Sequence, residues 1–338
     1  MITLFISKRI EAIRTPMLLG VIAIHSNILF ALPENASQLN SFSIELFSKY
    51  LPMVCVPWFF LISGFLNGNK YDALCIGTYA TMMKKRMYGI LLPYVLWNMI
   101  ALIISSIIHP NNILFSFSDY PIGGLLIALE KLLINPIIEP LWFLRNLFVL
   151  LVAMPLLKKM IRTNIWMSLL VFLLIENYTF LGGILYFSIG LIVSGINQTT
   201  LSKSVTQWGK WALIIYCLIM VSEAALKINT NHIWMVQTLI ILIGIAGVSG
   251  IGNTLVKCAY LKSNTVFFIY CFHGIISPLI IRICTTTFEQ AGINWMICYV
   301  FVFCIILSLS YAAYYLAQYL MPKVTMILTG QRNTPVAL

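Results

Sequence analysis

Along this chain, long runs of apolar residues alternate with short segments that carry charged or turn-forming residues. A helix needs about 20 apolar residues to cross the hydrocarbon core of a bilayer. About ten runs approach that length, so the pattern predicts about ten transmembrane helices. The fifth run is short, and Gly182 and Gly183 interrupt the start of the sixth. The predicted spans centre on residues 14–32, 50–67, 87–108, 140–157, 163–176, 179–196, 208–226, 232–252, 264–283 and 294–320.

The composition excludes a soluble protein. Of the 338 residues, 60% are hydrophobic and only 9% are charged, and the mean hydropathy is +0.94. Soluble proteins carry about 25% charged residues, so this chain has too few to cover a globular surface. The same composition excludes a disordered chain, a disulfide scaffold and a nucleic-acid-binding protein. We therefore predict an all-α polytopic membrane protein.

The basic residues orient the predicted helices, because cytoplasmic loops of membrane proteins carry an excess of Lys and Arg. With the N-terminus in the cytoplasm, 16 of the 21 basic residues fall on the cytoplasmic side, four fall outside, and Arg145 lies within the fourth span. Both termini are then cytoplasmic. We expect a single ten-helix membrane domain, residues 1–322, followed by a short cytoplasmic tail, residues 323–338.

Two histidines lie at membrane depth, where ionisable residues are costly and usually functional. His25 follows Arg14 by 11 residues, which places it about 16 Å further along a helix. His273 lies at a similar depth in the ninth span, on a helix that runs in the same direction. Either the two histidines share a cavity, or each forms an ordinary hydrogen bond between helices.

Other polar residues gather toward the outer half of the predicted bundle. Arg145 lies near the outer end of the fourth span, while Glu176 and Glu223 lie near the outer ends of the fifth and seventh. A lone arginine at this depth is expensive, so one of the glutamates is expected to pair with it. The group is either a structural ion pair or a pocket for a hydroxyl-rich or anionic substrate, with Trp142 as a stacking face for a sugar.

A basic triplet, Lys84, Lys85 and Arg86, precedes the third span. Such a triplet commonly orients a span and contacts anionic lipids. Alternatively, it holds the phosphates of a cytosolic cofactor together with Arg14.

Five short motifs, found in order over about four-fifths of the chain, resemble the signature of the membrane acyltransferase-3 family. Each motif alone is weak, but their order and their places in the predicted spans make the match specific. They are Arg14 and His25 separated by ten residues, Phe59-Phe60-x-x-Ser63-Gly64 in the second span, the basic triplet followed by Pro93 in the third, Leu141-Trp142-Phe143-Leu144 in the fourth, and Phe268-x-Tyr270-x-x-His273 in the ninth.

The resemblance implies an integral membrane O-acyltransferase of the inner or plasma membrane. Such an enzyme moves an acyl group, commonly acetyl, from cytosolic acyl-CoA to a sugar hydroxyl of a cell-surface or lipid-linked glycan. No tightly bound cofactor is expected, and Arg14 and His25 are expected to be required. Larger members carry a C-terminal extracytoplasmic hydrolase-like domain, and we expect this protein to act without one. Either the acceptor reaches the membrane pocket, or a separate extracytoplasmic partner protein completes the transfer.

Acyl transfer to a hydroxyl needs a base for the hydroxyl proton and stabilisation of the developing oxyanion. His25 is the candidate base, or it carries the acyl group covalently. Arg14 is expected to pair with CoA phosphates at the cytoplasmic rim. His273 and Tyr270 are candidates for orienting the acceptor or stabilising the oxyanion.

The remaining candidate substrate-binding residues are Ser63, Trp142, Arg145 and Glu176. Ser63 is more consistent with helix packing beside Gly64 than with a nucleophile. No metal site is expected, because the four histidines (residues 25, 109, 232 and 273) do not have the spacing of metal ligands.

Two other classes of membrane protein remain as alternatives. A transporter or flippase of lipid-linked sugars also places polar residues at the midplane, but it does not account for the Arg14–His25 spacing. A glycan polymerase commonly has a large outer loop, whereas the longest outer segment here, roughly residues 109–139, is modest. Only an acyltransferase consumes acyl-CoA and leaves a base-labile ester.

Overall fold

Every regular element of the computed structural model is helical within the residues that the structure describes. Those residues are 4–33, 37–68, 76–108, 136–178, 181–227, 233–258 and 260–331. His109 and His232 lie outside the described residues, as does most of the predicted outer segment 109–139. The predicted all-α class is confirmed.

The α-helices follow one another through short turns, and single 3₁₀ or π turns extend several of them. The helices are α1 Leu4–His25, α2 Gln38–Glu45, α3 Cys55–Gly68, α4 Ile76–Arg86, α5 Leu92–Ile108, α6 Trp142–Thr163, α7 Ile165–Tyr178, α8 Ile184–Ser194, α9 Gln198–Leu226, α10 Trp234–Gly250, α11 Gly252–Leu255, α12 Ser263–Ala291, α13 Trp295–Leu320 and α14 Pro322–Leu328. The turns are Leu29–Ala31, Leu46–Tyr50, Leu51–Val54, Met87–Leu91 and Glu139–Leu141.

Eight helical stretches are long and apolar enough to cross a membrane in the described part of the chain. Two further apolar helices, Ile165–Asn177 and Ile184–Ser194, are shorter and coincide with the fifth and sixth predicted spans. The eight long stretches are Ile6–Ala31, Gln38–Gly68, Gly77–Ile104, Glu139–Thr163, Gln198–Leu226, Trp234–Leu255, Ser263–Ala291 and Trp295–Leu320.

Four of these stretches begin eight or more residues before the predicted spans. The stretch for the second predicted span begins at Gln38 instead of residue 50, and the stretch for the seventh predicted span begins at Gln198 instead of residue 208. The side chain of Ser37 accepts a hydrogen bond from the backbone of Asn40, and that of Asn197 accepts one from Thr199. Such N-caps start a helix outside the apolar region, which a search for apolar runs does not detect.

Glycines allow two pairs of helices to pack backbone against backbone. A Cβ atom at Gly64 of α3 would overlap the Phe187 carbonyl of α8, and one at Gly190 would overlap the Leu61 carbonyl. Helices α9 and α10 approach in the same way, and a Cβ atom at Gly247 would lie 2.7 Å from the Leu213 backbone. Small residues are typical of close helix contacts in membranes. The glycines of the eighth predicted span therefore serve helix packing.

Helix α1 lies at the centre of the bundle and runs alongside α12. The backbone amide of Leu261, just before α12, donates to Thr15 Oγ1 at 3.0 Å. Helix α14 lies against α5, where Trp97 Nε1 donates to the Leu328 carbonyl at 3.1 Å. The Thr15 contact holds the middle of α1 against the start of α12, so residues further along the two helices also meet.

Candidate active site

The two helices α1 and α12 bring sequence-predicted residues together at two levels. At the first level, Arg14 Nη1 donates to Ser263 Oγ at 2.5 Å. At the second, the His25 and His273 rings lie 5.3 Å apart between centroids, with a tilt of 57°. Eleven residues of α1 and ten of α12 separate the levels, a rise of about 15–16 Å on each helix. Of the two arrangements that the sequence leaves open, the structure has the two histidine rings side by side.

His273 is fully buried and uses only one of its ring nitrogens. Its Nδ1 lies 3.2 Å from the Ile269 carbonyl oxygen. A carbonyl oxygen only accepts, so Nδ1 carries the proton and Nε2 carries a lone pair. Within the described residues, Nε2 has no hydrogen-bond partner. A buried acceptor without a donor is uncommon, and this one lies on the ring that faces His25.

A short segment before α6, residues 136–141, is held beside the two histidines. The Tyr270 hydroxyl donates to the Pro140 carbonyl, and the backbone amide of Ile137 donates to Asn98 Oδ1 at 2.9 Å. Gly274 lets the segment lie close to α12, because a Cβ atom there would crowd the Pro140 ring at 3.1 Å. The segment is therefore held by both α5 and α12.

This segment carries Glu139, which sequence reasoning missed. Its side chain is exposed, and its carboxylate lies within electrostatic range of the His25 imidazole. The sequence signal is modest: Glu139 is the last acidic residue before the Leu141–Leu144 motif. Glu139 and His25 are far apart in the sequence, so the sequence does not show that they lie close together in the fold.

The aromatic residues of the predicted motifs form one cluster next to the histidine pair. The Phe143 ring lies 5.9 Å from Tyr270 and 4.7 Å from Phe60. The Trp142 ring lies 6.0 Å from the Phe60 ring. Trp142 therefore shares the site through this cluster and also borders the loop that precedes α8, near Gly182.

Arg145 and Glu176 belong to different hydrogen-bond groups. Arg145 Nε donates to Asn146 Oδ1 at 2.9 Å, and Asn146 Nδ2 donates to the Gly182 carbonyl at 3.1 Å. Glu176 instead accepts from the backbone amides of Gly183 and Leu185, at 2.7 and 3.1 Å.

The expectation that Glu176 pairs with Arg145 is wrong. The first amides of a helix have no partner within the helix and carry partial positive charge, so α8 competes for the carboxylate at close range. Glu223 also differs from the expectation. It is buried on α9, where its electrostatic neighbours include Tyr50 and Tyr216.

A cavity of about 970 Å³ adjoins the Arg14 level. It is bordered by α1, by the start of α12 and by α13. Its lining combines Lys262 with polar amides and several tyrosines. The lining also includes Thr15, the residue after Arg14. Sequence reasoning did not find this cavity, because Tyr311 and Tyr315 lie on a helix whose apolar pattern gives no sign of a polar face.

The comparison with protein families decides the class of the chain. A family model described as an acyltransferase domain matches residues 7–315. The chain belongs to the acyltransferase-3 family. The match runs from the first turns of α1 into the later part of α13 and includes Arg14, His25 and His273. No curated protein and no solved structure matches the chain.

The family and the apolar helices together make this protein a multi-pass membrane acyltransferase. Within the described residues, no three side chains of His, Cys, Asp or Glu come together in a way that suits a metal ion.

The basic triplet of the acyltransferase lies at the end of α4, near the end of α3. Arg86 Nη2 donates to Asn67 Oδ1 at 2.6 Å, and Asn67 Nδ2 donates to the Ser63 carbonyl at 2.7 Å. Lys84 and Lys85 are exposed. Asn67 thus links the Arg86 side chain to the Ser63 carbonyl. Arg14 makes its contact elsewhere, with α12.

Proposed function

We propose that this acyltransferase moves an acyl group from cytosolic acyl-CoA to a hydroxyl of a cell-surface or lipid-linked glycan. Acetyl is the acyl group that the family resemblance favours. The observation that carries the proposal is the histidine pair, which lies about 16 Å along α1 from Arg14 in a chain of the acyltransferase-3 family. Arg14 at one level can hold the phosphates of acyl-CoA, and a histidine at the next level can accept a proton where the long pantetheine arm ends.

The proposed topology has ten crossings and two cytoplasmic termini in the inner or plasma membrane. Helices α7 and α8 supply the fifth and sixth crossings as a short pair. The level of Arg14 and Ser263 is then cytoplasmic, and Glu139 and Trp142 lie toward the outside. The excess of basic residues on the cytoplasmic side supports this orientation.

The donor site that we propose is the cavity beside Arg14. A CoA head carries phosphates and an adenine ring, and the cavity offers Lys262 and tyrosine rings for them. The first turn of α12 also borders the cavity, and helix N-termini favour anions. Arg14 directly precedes Thr15, a lining residue of this cavity, so it is suited to hold a phosphate of the donor at the cavity's edge.

In the direct route, His25 acts as general base. An imidazole nitrogen of His25 takes the proton of the acceptor hydroxyl, and the hydroxyl oxygen attacks the thioester carbonyl carbon. The carbon–sulfur bond breaks, and the CoA thiolate takes the proton. His273 Nε2, a buried lone pair facing His25, is suited to accept a hydrogen bond from a hydroxyl or from the His25 ring.

In the covalent route, His25 carries the acyl group. Its nitrogen attacks the thioester, the carbon–sulfur bond breaks and protonated CoA leaves. The acceptor hydroxyl then attacks the acyl-imidazole and regenerates His25. This route suits a donor and an acceptor that approach from opposite ends of the site.

The acceptor is proposed to enter from the side of Glu139 and Trp142. Carboxylates bind sugar hydroxyls, and the Trp142 indole provides an apolar face for a sugar ring. A separate extracytoplasmic protein is a proposed partner that completes delivery to the final glycan. Ser63, Arg145, Lys84 and Lys85 lie beyond this path, and we propose structural or lipid-facing roles for them.

The test measures acyl transfer by the protein reconstituted in liposomes. The probes are labelled acetyl-CoA and surface glycan extracted from a strain that lacks the protein. We expect release of free CoA thiol that depends on the glycan, together with a labelled, base-labile ester. A transporter or polymerase gives neither product, and that result would overturn the proposal.

The Arg14→Gln variant tests the donor site in the same assay. Loss of a charge-assisted contact to phosphate corresponds to about tenfold or more in KM for acetyl-CoA. The matched control is Ser263→Ala, which removes the hydrogen-bond partner of Arg14 but keeps its charge, so KM changes only slightly. An unchanged KM in Arg14→Gln would contradict this assignment.

A further inference from the structure

A second cavity lies on the opposite side of α1 from the donor cavity. It has a volume of about 270 Å³ and separates the tightly packed pair α3–α8 from the tightly packed pair α9–α10. Its lining is apolar along most of its length, with residues such as Ile13, Phe65 and Leu242. Its polar lining residues are Arg9, Ser202 and Ser249.

These polar residues are hydrogen-bonded to one another at one end of the cavity. Arg9 Nη1 donates to Ser202 Oγ at 2.8 Å, and Nη2 donates to Thr206 Oγ1 at 3.1 Å and to the Ser249 carbonyl at 3.3 Å. Arg9 is only 6% exposed. The guanidinium is therefore fixed between α1, α9 and the end of α10.

The position of Arg9 on α1 separates this cavity from the catalytic path. Arg9 precedes Arg14 by five residues, which corresponds to about 7.5 Å along the helix and about 140° around it. Arg14 accordingly contacts α12, whereas Arg9 contacts α9 and α10. The cavity is thus close to the bundle end that carries the start of α1, where lipid headgroups lie.

An apolar cleft with a cation at its headgroup end matches one kind of molecule in a bilayer. Hydrocarbon fills the apolar length, where an empty cleft would lose dispersion contacts. A phosphate group complements a guanidinium through paired hydrogen bonds. Exposed Lys203 follows Ser202 in sequence and adds positive charge at the same end.

We propose that this cleft binds one acyl chain of an anionic phospholipid, with the lipid phosphate on Arg9. The bound lipid lies against α1, between the helix pair α3–α8 and the helix pair α9–α10. This site is separate from the catalytic site and does not depend on the identity of the acyl acceptor.

The test measures lipid binding by native mass spectrometry of the delipidated full-length protein. Dioleoyl phosphatidylglycerol and dioleoyl phosphatidylcholine are titrated separately, since they share chains and differ in headgroup charge. We expect one phosphatidylglycerol per chain, bound about tenfold or more tightly than phosphatidylcholine. Equal affinity for both lipids would overturn the proposal. Inorganic phosphate that displaces the lipid as well as a second lipid molecule does would also overturn it, because the acyl chain would then contribute nothing to binding.

Three variants locate the binding site. Arg9→Gln should weaken phosphatidylglycerol binding about tenfold, whereas Lys8→Gln, which removes the adjacent exposed cation, should leave it nearly unchanged. Ala246→Phe fills the cleft without touching Arg9 and should weaken the binding of both lipids. Should Arg9→Gln fail to fold, Ala246→Phe still decides the matter. Undiminished lipid binding in Ala246→Phe, or equal losses in Arg9→Gln and Lys8→Gln, would contradict the proposed site.

Discussion

His25 and His273 face each other but differ in their surroundings. His25 ends α1, is only partly buried and lies within electrostatic range of the Glu139 carboxylate. His273 is fully buried in α12, and its Nδ1 is committed to the Ile269 carbonyl. This difference supports the proposal that a substrate reaches His25 and that His273 supports it.

Glu139 should matter for the acceptor and not for the donor. The Glu139→Gln variant keeps the size of the side chain but removes its charge, so we expect acceptor-dependent transfer to fall by about 10–100-fold, the range for a lost hydrogen bond to a charged group. KM for acetyl-CoA should stay unchanged. Transfer assays with varied acceptor and varied donor separate the two effects.

The matched control for this variant is Glu289→Gln on α12. Glu289 is an exposed carboxylate that lies 16 residues beyond His273, or about 24 Å along the helix. Its loss should not change transfer. A similar decrease in both variants would show that general surface charge, and not the position of Glu139, is responsible.

Single residues differ in how far the sequence predicts their neighbours. The meeting of His25 and His273 could be predicted, because the helical rise converts sequence spacing into depth and both helices run in the same direction. The neighbours of Glu176 could not, because the free amides at the start of α8 compete with Arg145. Glu139 was missed because the contacts that place it beside His25 come from Asn98, Tyr270 and Gly274, on other helices.

At the scale of helices, packing depends on backbone contact between glycines. The pair α3–α8 is held where Gly64 and Gly190 face carbonyl groups of the opposite helix. The second motif of the sequence, which contains Phe60 and Ser63, lies on this contact. The glycine of that motif therefore serves helix packing and places Phe60 against the aromatic cluster.

A larger residue at Gly64 should destabilise the bundle. The Gly64→Val variant places a branched side chain against the Phe187 carbonyl of α8, and overpacking of this kind costs about 1–3 kcal/mol. We expect a lower Tm in detergent, measured by intrinsic fluorescence.

Gly77→Ala on α4 is the control for that experiment. A Cβ atom at Gly77 meets nothing within 4 Å, so Tm should stay unchanged or rise slightly, since alanine is favoured over glycine in helices by about 0.5–1 kcal/mol. An unchanged Tm in Gly64→Val would mean that α3 and α8 are not closely packed.

Helix existence could be predicted from apolar runs, whereas helix ends could not. The runs mark the part of each helix that contacts hydrocarbon, but α9 begins at a capped polar turn well outside it. The 3₁₀ and π turns that join α2 to α3 leave no trace in the apolar pattern. The short helices α7 and α8 were found because the turn at Gly182 and Gly183 separates them.

At the scale of the whole molecule, the proposed donor and acceptor sides lie at opposite ends of a path along α1. The cavity beside Arg14 lies at one end, the Glu139 segment lies toward the other, and the histidines lie between them. This order requires the start of α1 to be cytoplasmic.

Labelling of single cysteines tests that orientation. In a chain whose native cysteines are replaced, Thr200→Cys lies in the first turn of α9 and Gln290→Cys lies at the end of α12, and both positions are exposed. A membrane-impermeant maleimide added to intact cells should label Gln290→Cys only. Both positions should react after the cells are opened, and labelling of Thr200→Cys in intact cells would reverse the proposed orientation.

The central claim is that this acyltransferase esterifies a glycan through His25. The most direct measurement is NMR of the surface glycan from three strains: the wild type, a deletion, and the deletion complemented with His25→Ala at normal membrane levels. We predict an O-acyl signal that is present only in the wild type and disappears after mild base treatment. A deletion strain that keeps the ester but loses or shortens its glycan would contradict the account and favour transport or polymerisation.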